Sequence, residues 1–169
     1  MTTIQTTGTT PEAPAGPTRA AGARYLAPSR GDRAVNRMAG WLTRRGLSLW
    51  GSRELTVVGR RSGQPRTTVV NVLELDGERY LVAPRGTTDW VRNIRAAGVA
   101  SLRVGRRVEH VAATELADEA KAVVLRPYLE RWAFEVGRFF DGVGADASDE
   151  ELAAIAPKHP VFRLRPVAA

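Results

Sequence analysis

The sequence predicts a mainly-β domain with inserted helices (α+β), in which about six mostly antiparallel strands close into a small barrel. Three observations carry this. Two pairs of strand-forming runs flank the tight turn dipeptides Asp76-Gly77 and Gly105-Arg106. No helix-length stretch alternates regularly with each strand, which disfavours a doubly wound parallel sheet. A chain of 169 residues, 43% hydrophobic, suits one sizeable core rather than two. Closing so few strands into a barrel leaves no bare edge.

Residues 1–24 hold seven Thr, three Pro and three Gly and almost no large apolar side chain. They cannot bury enough surface to offset ordering entropy, so they predict a disordered arm before a single domain over 25–169. Val35, Met38 and Leu42 recur at i, i+3 and i+7 among Arg33, Arg37, Arg44 and Arg45. That pattern predicts a basic amphipathic helix within 33–50, packed on the domain, leaning on a membrane surface or covering a ligand. Leu55–Val58 is short and β-branched and predicts a strand, and Gly59–Pro65 a turn-rich loop. Thr67–Leu75 and Arg79–Ala83 predict a hairpin around Asp76-Gly77. Asp89–Ala97 reads as a short helix with Thr88 as N-cap and Gly98 as C-cap. Ala100–Val104 and Val108–Thr114 predict the second hairpin. A longer helical stretch follows over Ala117–Phe140, with Pro127 expected to break or kink it. Ser148-Asp-Glu-Glu151 is a capping box opening a helix to Ala156, and Pro160–Arg165 alternates as a last strand.

Composition narrows the chemistry. Zero cysteines exclude a disulfide scaffold, Cys-ligated metals and a thiolate nucleophile. Two histidines, His110 and His159, leave little for a metal centre or a Ser-His-Asp relay. No metal site is expected. No apolar run approaches the ~20 residues of a membrane span, and Met1–Gly31 lacks the apolar core of a secretory signal. A cytoplasmic protein is therefore expected, with the basic helix at 33–50 as its candidate membrane contact. The formal charge is +7, and only Lys121 and Lys158 of the 25 cations are not arginine. Residues 1–52 carry seven Arg and two acids, and 53–107 eleven Arg and five acids. Residues 108–169 carry seven cations and eleven acids. Such asymmetry suggests that the middle segment holds an anion; solvated arginines are the plainer alternative.

Two segments are candidates for chemistry. In Gly59-Arg-Arg-Ser-Gly-Gln-Pro-Arg66, three arginines, a hydroxyl and two glycines fall within eight residues. Such a turn gathers guanidiniums and amide N–H groups around a phosphate or carboxylate, or else is a solvated hairpin. No Lys-Ser/Thr follows Gly63, so it is no Walker loop. In Ala83-Pro-Arg-Gly-Thr-Thr-Asp-Trp-Val-Arg-Asn93, a strand ends, a tight loop turns and a helix begins. Its N-terminus attracts anions, and Trp90 and Asn93 share one helix face, where Trp90 is either ligand wall or core.

Taken in order, GRRSGQPR at 59–66, DGERYLVAPRG at 76–86, WVRNIRAAG at 90–98, SLRVGRRVEHVAATEL at 101–116 and HPVFRL at 159–164 resemble the deazaflavin-dependent nitroreductase family. Those proteins are split β-barrel, FMN-binding-like oxidoreductases that use coenzyme F420. The resemblance covers roughly residues 50–165. It implies a hydride carrier with a phosphate and a polyglutamate tail. By similarity, Arg60, Arg61, Ser62 and Arg66 hold the phosphate and tail, and Gly63 allows close approach. Ala83, Pro84, Arg85 and Gly86 lie along the deazaflavin ring, and Trp90 and Asn93 complete the wall. The reacting atom belongs to the cofactor, so no protein nucleophile is required and no side chain is assigned as catalytic.

The chain also departs from the pattern. Pro84 occupies the second loop where a serine is usual, and Asn71 stands where a tyrosine is expected. Tyr128 is the one candidate for a pocket phenol, and Trp132, Phe134, Phe139 and Phe140 line the pocket or form core. The expected reaction is hydride transfer to a small flat organic acceptor: a quinone, nitroaromatic or activated enone. Alternatives are the same barrel with FMN or haem, or a basic nucleic-acid or membrane-surface module. Only Trp90 and Tyr80 interleave the arginines of 53–107, too few for a stacking platform, so no nucleic-acid partner is expected. Monomer and homodimer both remain open.

Overall fold

The computed structural model describes residues 51–167. The arm expected at 1–24 and the basic helix expected within 33–50 lie outside the described residues. The strands are β1 (Ser52–Val58), β2 (Pro65–Leu75), β3 (Glu78–Val82), β4 (Val99–Val104), β5 (Arg107–Glu115) and β6 (Val161–Pro166). The helices are α1 (Asp89–Ala97) between β3 and β4, and α2 (Ala122–Val136) and α3 (Asp149–Ile155) between β5 and β6. The sheet is a closed barrel in the order β1-β2-β3-β6-β5-β4, every neighbouring pair antiparallel. The expected α+β class and six-stranded barrel are observed.

Local chemistry explains the tight corners. Asp76 and Gly77 both have positive φ, 50° and 77°, as the primed hairpin turn demands. Gly98 ends α1 at φ 68° and donates to the Ile94 carbonyl at 2.8 Å. The Ser148 box is complete: Glu151 N–H donates to Ser148 Oγ at 3.2 Å, and Ser148 N–H to Glu151 Oε2 at 2.8 Å.

Of the break or kink expected at Pro127, no break occurs: the residue sits inside α2. The apolar face around it (Leu125, Tyr128, Leu129, Trp132) is almost fully buried, and that burial offsets one missing N–H bond. The long stretch is interrupted at its ends instead, by 3₁₀ turns at Asp118–Ala120 and Gly137–Phe139.

Two cores result. Inside the barrel, Leu55, Val57, Val70, Val72, Leu81, Leu102, Val111, Phe162 and Leu164 pack together, with Val91 and Ile94 of α1 closing one end. Outside it, Leu73, Val82 and Val161 are covered by Val124, Leu125, Leu129 and Trp132 of α2 and by Leu152 and Ile155 of α3. Along β2, even positions (Val70, Val72) therefore face inward, and Leu73, an odd position, faces α2.

The register decides where the loops emerge. Val58 pairs with Pro65, Val82 with Val161 and Val99 with Ala112. The β1–β2 turn, the β3–α1 loop and the ends of the α2–α3 insertion thus share one rim.

On the wall, Arg79 donates two hydrogen bonds to Glu109, at 2.7 and 2.6 Å. That fork holds the Glu109 carboxyl below its ordinary value of 4.5. A lowered carboxylate contributes stability above about pH 4.5, lost as pH falls through the lower folded value. Glu109→Gln is expected to cost about 1 kcal/mol at neutral pH and to flatten the acid limb of the stability curve in urea unfolding. An unaltered acid limb would contradict that role.

Candidate functional site

On that rim a cavity of about 950 Å³ opens between the β1–β2 turn, the β3–α1 loop, the first half of β2 and the end of α2. Of the sequence candidates, Arg60, Arg61, Ser62, Arg66, Ala83, Pro84, Arg85, Trp90 and Asn93 line it. Gly63 and Gly86 do not. Gly63 has φ 66°, and an added Cβ there would meet nothing within 4 Å. The left-handed backbone conformation of the turn is what calls for glycine there. Gly59 is the crowded position, where a Cβ would sit 2.9 Å from Ser62 Oγ and 3.1 Å from the Gln64 carbonyl.

The turn is tied to α1 by one side chain. Asn93 is 4% exposed, and its Oδ1 accepts from Arg60 N–H at 3.2 Å and from Arg60 Nη1 at 2.9 Å. Asp89 adds an ion pair to Arg60 at 3.5 Å. Arg60 is therefore held as a brace, with the Asn93 side-chain oxygen spent on bracing it. Arg61 and Arg66 are exposed and have no acidic partner among the described residues, so they are the cations left for a ligand's charge.

The second loop is equally specific. Ala83 N–H donates to the Pro160 carbonyl at 2.9 Å and Gly86 N–H to the Ala83 carbonyl at 3.0 Å, so both amides are spent within the protein. The Arg85 guanidinium lies 4.6 Å from the Phe139 ring centroid, with that of Arg138 at 4.7 Å. Trp90 packs on Phe162 at 5.9 Å, partly buried, and also lines the cavity, so wall and core are one side chain. At the N-terminus of α1, Thr88 makes no side-chain cap, and its Oγ1 is a buried atom without a hydrogen-bond partner.

Other wall residues come from β1, β2 and α2. Asn71 donates to Glu135 Oε2 at 3.2 Å and accepts from Ser52 Oγ at 3.3 Å. Tyr128, 2% exposed, lies within hydrogen-bonding reach of Asn71. Burial first, then the charge of Glu135, pushes its phenol well above its ordinary value of 10, so the hydroxyl keeps its proton throughout the neutral range. Among the four aromatics considered, Phe139 lines the cavity, Trp132 and Phe140 are core, and Phe134 is 70% exposed. Sequence reading did not single out Arg138 or Glu135; only the fold brings the end of α2 against β2. His159 is buried and stacked on Phe140 at 4.1 Å, while His110 is exposed beside Ser101. Among the described residues no acidic or His cluster could hold a metal, and no helix is long and apolar enough to cross a membrane.

A closed six-stranded antiparallel barrel with helices inserted at one rim is the split β-barrel, FMN-binding-like fold. The sequence pattern of the F420H(2)-dependent quinone reductase family matches residues 32–135, more than half of the chain. The chain belongs to that family, and so to the F420-dependent reductases, oxidoreductases whose cofactor is coenzyme F420. Solved structures with a similar fold include a domain-swapped dimer (19% identity, 81% of this chain and 100% of that one, TM-score 0.51). Another is the protein Atu2129 of Agrobacterium tumefaciens str. C58, of unknown function (19%, 83% and 57%, TM-score 0.50). The chain is also similar to an F420-H2 dependent reductase, FDR-A (20%, 68% and 94%, TM-score 0.49). No curated protein matches the chain.

The residues present fit that cofactor. Two unpaired guanidiniums suit its phosphate and carboxylates, an aromatic wall suits its ring, and the orphaned Thr88 hydroxyl offers a polar partner.

If Asn93 braces the turn, Asn93→Ala should free it. Trypsin cleavage after Arg61, followed by mass spectrometry, is expected to run about tenfold faster in the variant. Equal rates would show that the brace carries nothing.

Proposed function

We propose that this F420-dependent reductase passes a hydride to a small flat organic acceptor, a quinone first of all, with nitroaromatics and activated enones as the same chemical type. The cofactor tail and phosphate are assigned to Arg61, Arg66 and Ser62, with Arg60 and Asn93 positioning the turn. The ring is assigned to Ala83, Pro84, Arg85 and Trp90. What supports the reading is that the arginine turn and the second loop border one cavity, as a ligand with a charged tail and a flat ring requires. The cofactor, when bound, supplies the hydride.

The chain's own residues do the remaining work. Arg61 and Arg66 neutralise anionic oxygens, Trp90 fixes the plane of a ring, and Thr88 with the N-terminus of α1 receives a polar edge. Pro84, Val69 and Val136 give the cavity apolar wall that excludes water from a bound ring. We further assign residues 25–169 to one domain and the protein to the cytoplasm, as monomer or homodimer.

Fluorescence titration is expected to give micromolar F420 binding that weakens with salt. Arg61→Ala/Arg66→Ala should weaken F420 by roughly tenfold or more and FMN, which has a single phosphate, by much less. FMN binding in place of F420 would overturn the assignment of these residues.

A further inference from the structure

The cavity has a second pole. Asn71 lies five residues along β2 from Arg66, roughly 17 Å at about 3.4 Å per residue. Ser52 pairs with Asn71 across the β1–β2 ladder. Ser52 Oγ donates to Asn71 Oδ1 at 3.3 Å, and Asn71 Nδ2 donates to Glu135 Oε2 at 3.2 Å. Tyr128 and Glu135, both lining the cavity, are seven residues apart on α2 and so share a face two turns apart.

Counting donors and acceptors shows what this pole lacks. The Asn71 oxygen is taken by Ser52. Its amide donates to Glu135, and the Tyr128 hydroxyl beside it lines the cavity, where it can donate to a ligand. Glu135 is exposed, and among the described residues its one hydrogen bond is that which Asn71 donates to Oε2. The two arginines nearest it in the chain turn to aromatic rings: Arg131 of α2 lies 5.0 Å from the Trp132 ring centroid, and Arg138, in the 3₁₀ turn after α2, 4.7 Å from that of Phe139. A cavity with five arginines in its wall thus carries, away from its arginine turn, one open carboxylate oxygen beside one available hydroxyl donor.

We propose that this pole is the acceptor-specificity subsite and takes a flat acceptor bearing an N–H or O–H donor next to its reducible carbonyl. Glu135 accepts from that donor, Tyr128 donates to the carbonyl oxygen, and Asn71 positions both. The inference rests on the reductase reading above and adds no redox step of its own. An all-hydrocarbon substituent laid on Ser52, Asn71 and Glu135 would strip them of water without replacing its hydrogen bonds, so the subsite selects against it.

The test compares 2-amino-1,4-naphthoquinone with 2-methyl-1,4-naphthoquinone, whose substituents match in size. Calorimetry on enzyme loaded with oxidised F420, which cannot reduce either compound, is expected to give tighter binding of the amino compound. The ratio of the two dissociation constants should fall roughly tenfold in Glu135→Leu and less in Glu135→Gln, which keeps an amide acceptor. Under turnover, the ratio of the two kcat/KM values should fall in parallel, a comparison in which the quinones' unequal intrinsic reactivity cancels. Asn71→Leu is the second variant and should lower the same ratios while the melting transition stays cooperative. Equal affinity of the wild type for both compounds, or ratios unchanged in Glu135→Leu, would overturn the subsite. Failure of the wild type to bind F420 would instead overturn the assigned cofactor residues, a separate outcome.

Discussion

Closure of the barrel is the constraint on which the rest depends. β1 pairs with β2 on one side and with β4 on the other, through Glu54↔Arg103, Leu55↔Leu102 and Thr56↔Ser101. That second pairing leaves no strand with a bare edge. It also forces α1 to span the rim from the end of β3 to the start of β4, directly over the β1–β2 turn. The arginine turn and the helix N-terminus meet because the sheet closes, not because they are near in sequence.

Gathering arginines on one rim has an electrostatic cost, and the structure divides the labour among them. Arg60 is neutralised by Asp89 and held by Asn93. Arg85 and Arg138 lie against Phe139. Arg61 and Arg66 keep their charge for whatever enters. A binding site for a polyanion needs this: some cations fixed as scaffold, others uncompensated until the ligand arrives. The lack of cysteine and the scarcity of histidine fit a protein whose reacting atom belongs to its cofactor.

Features set by neighbours in the chain were legible in the sequence. The Asp76-Gly77 turn, the Gly98 stop and the Ser148 box depend on residues within a few positions of one another, and the structure has all three. The half of the cavity wall that the two loops supply was legible too. The exceptions depend on long-range packing. Asn93 and Trp90 share a helix face, which suggested a common ligand, yet Asn93 is occupied by Arg60, 33 residues away. Phe139 has the same helical spacing as core aromatics, and only the 3₁₀ turn at Gly137–Phe139 brings it to the cavity beside Arg85. Pro127 was expected to break or kink its helix, and the helix continues through it on a buried face that local propensity cannot register. Nothing local marks Glu135; only the packing that places Asn71 of β2 beside it does.

The central claim is that one rim cavity, built by the arginine turn, the β3–α1 loop and the start of α1, receives the cofactor. Amide hydrogen exchange with and without saturating F420 tests it most directly, because it reads every backbone segment at once. Slowed exchange is expected over 59–66 and 83–93, with little change at the far hairpin turn, 104–107. Protection centred on that far turn, or on the α3 segment, with 59–66 unaffected, would contradict the claim.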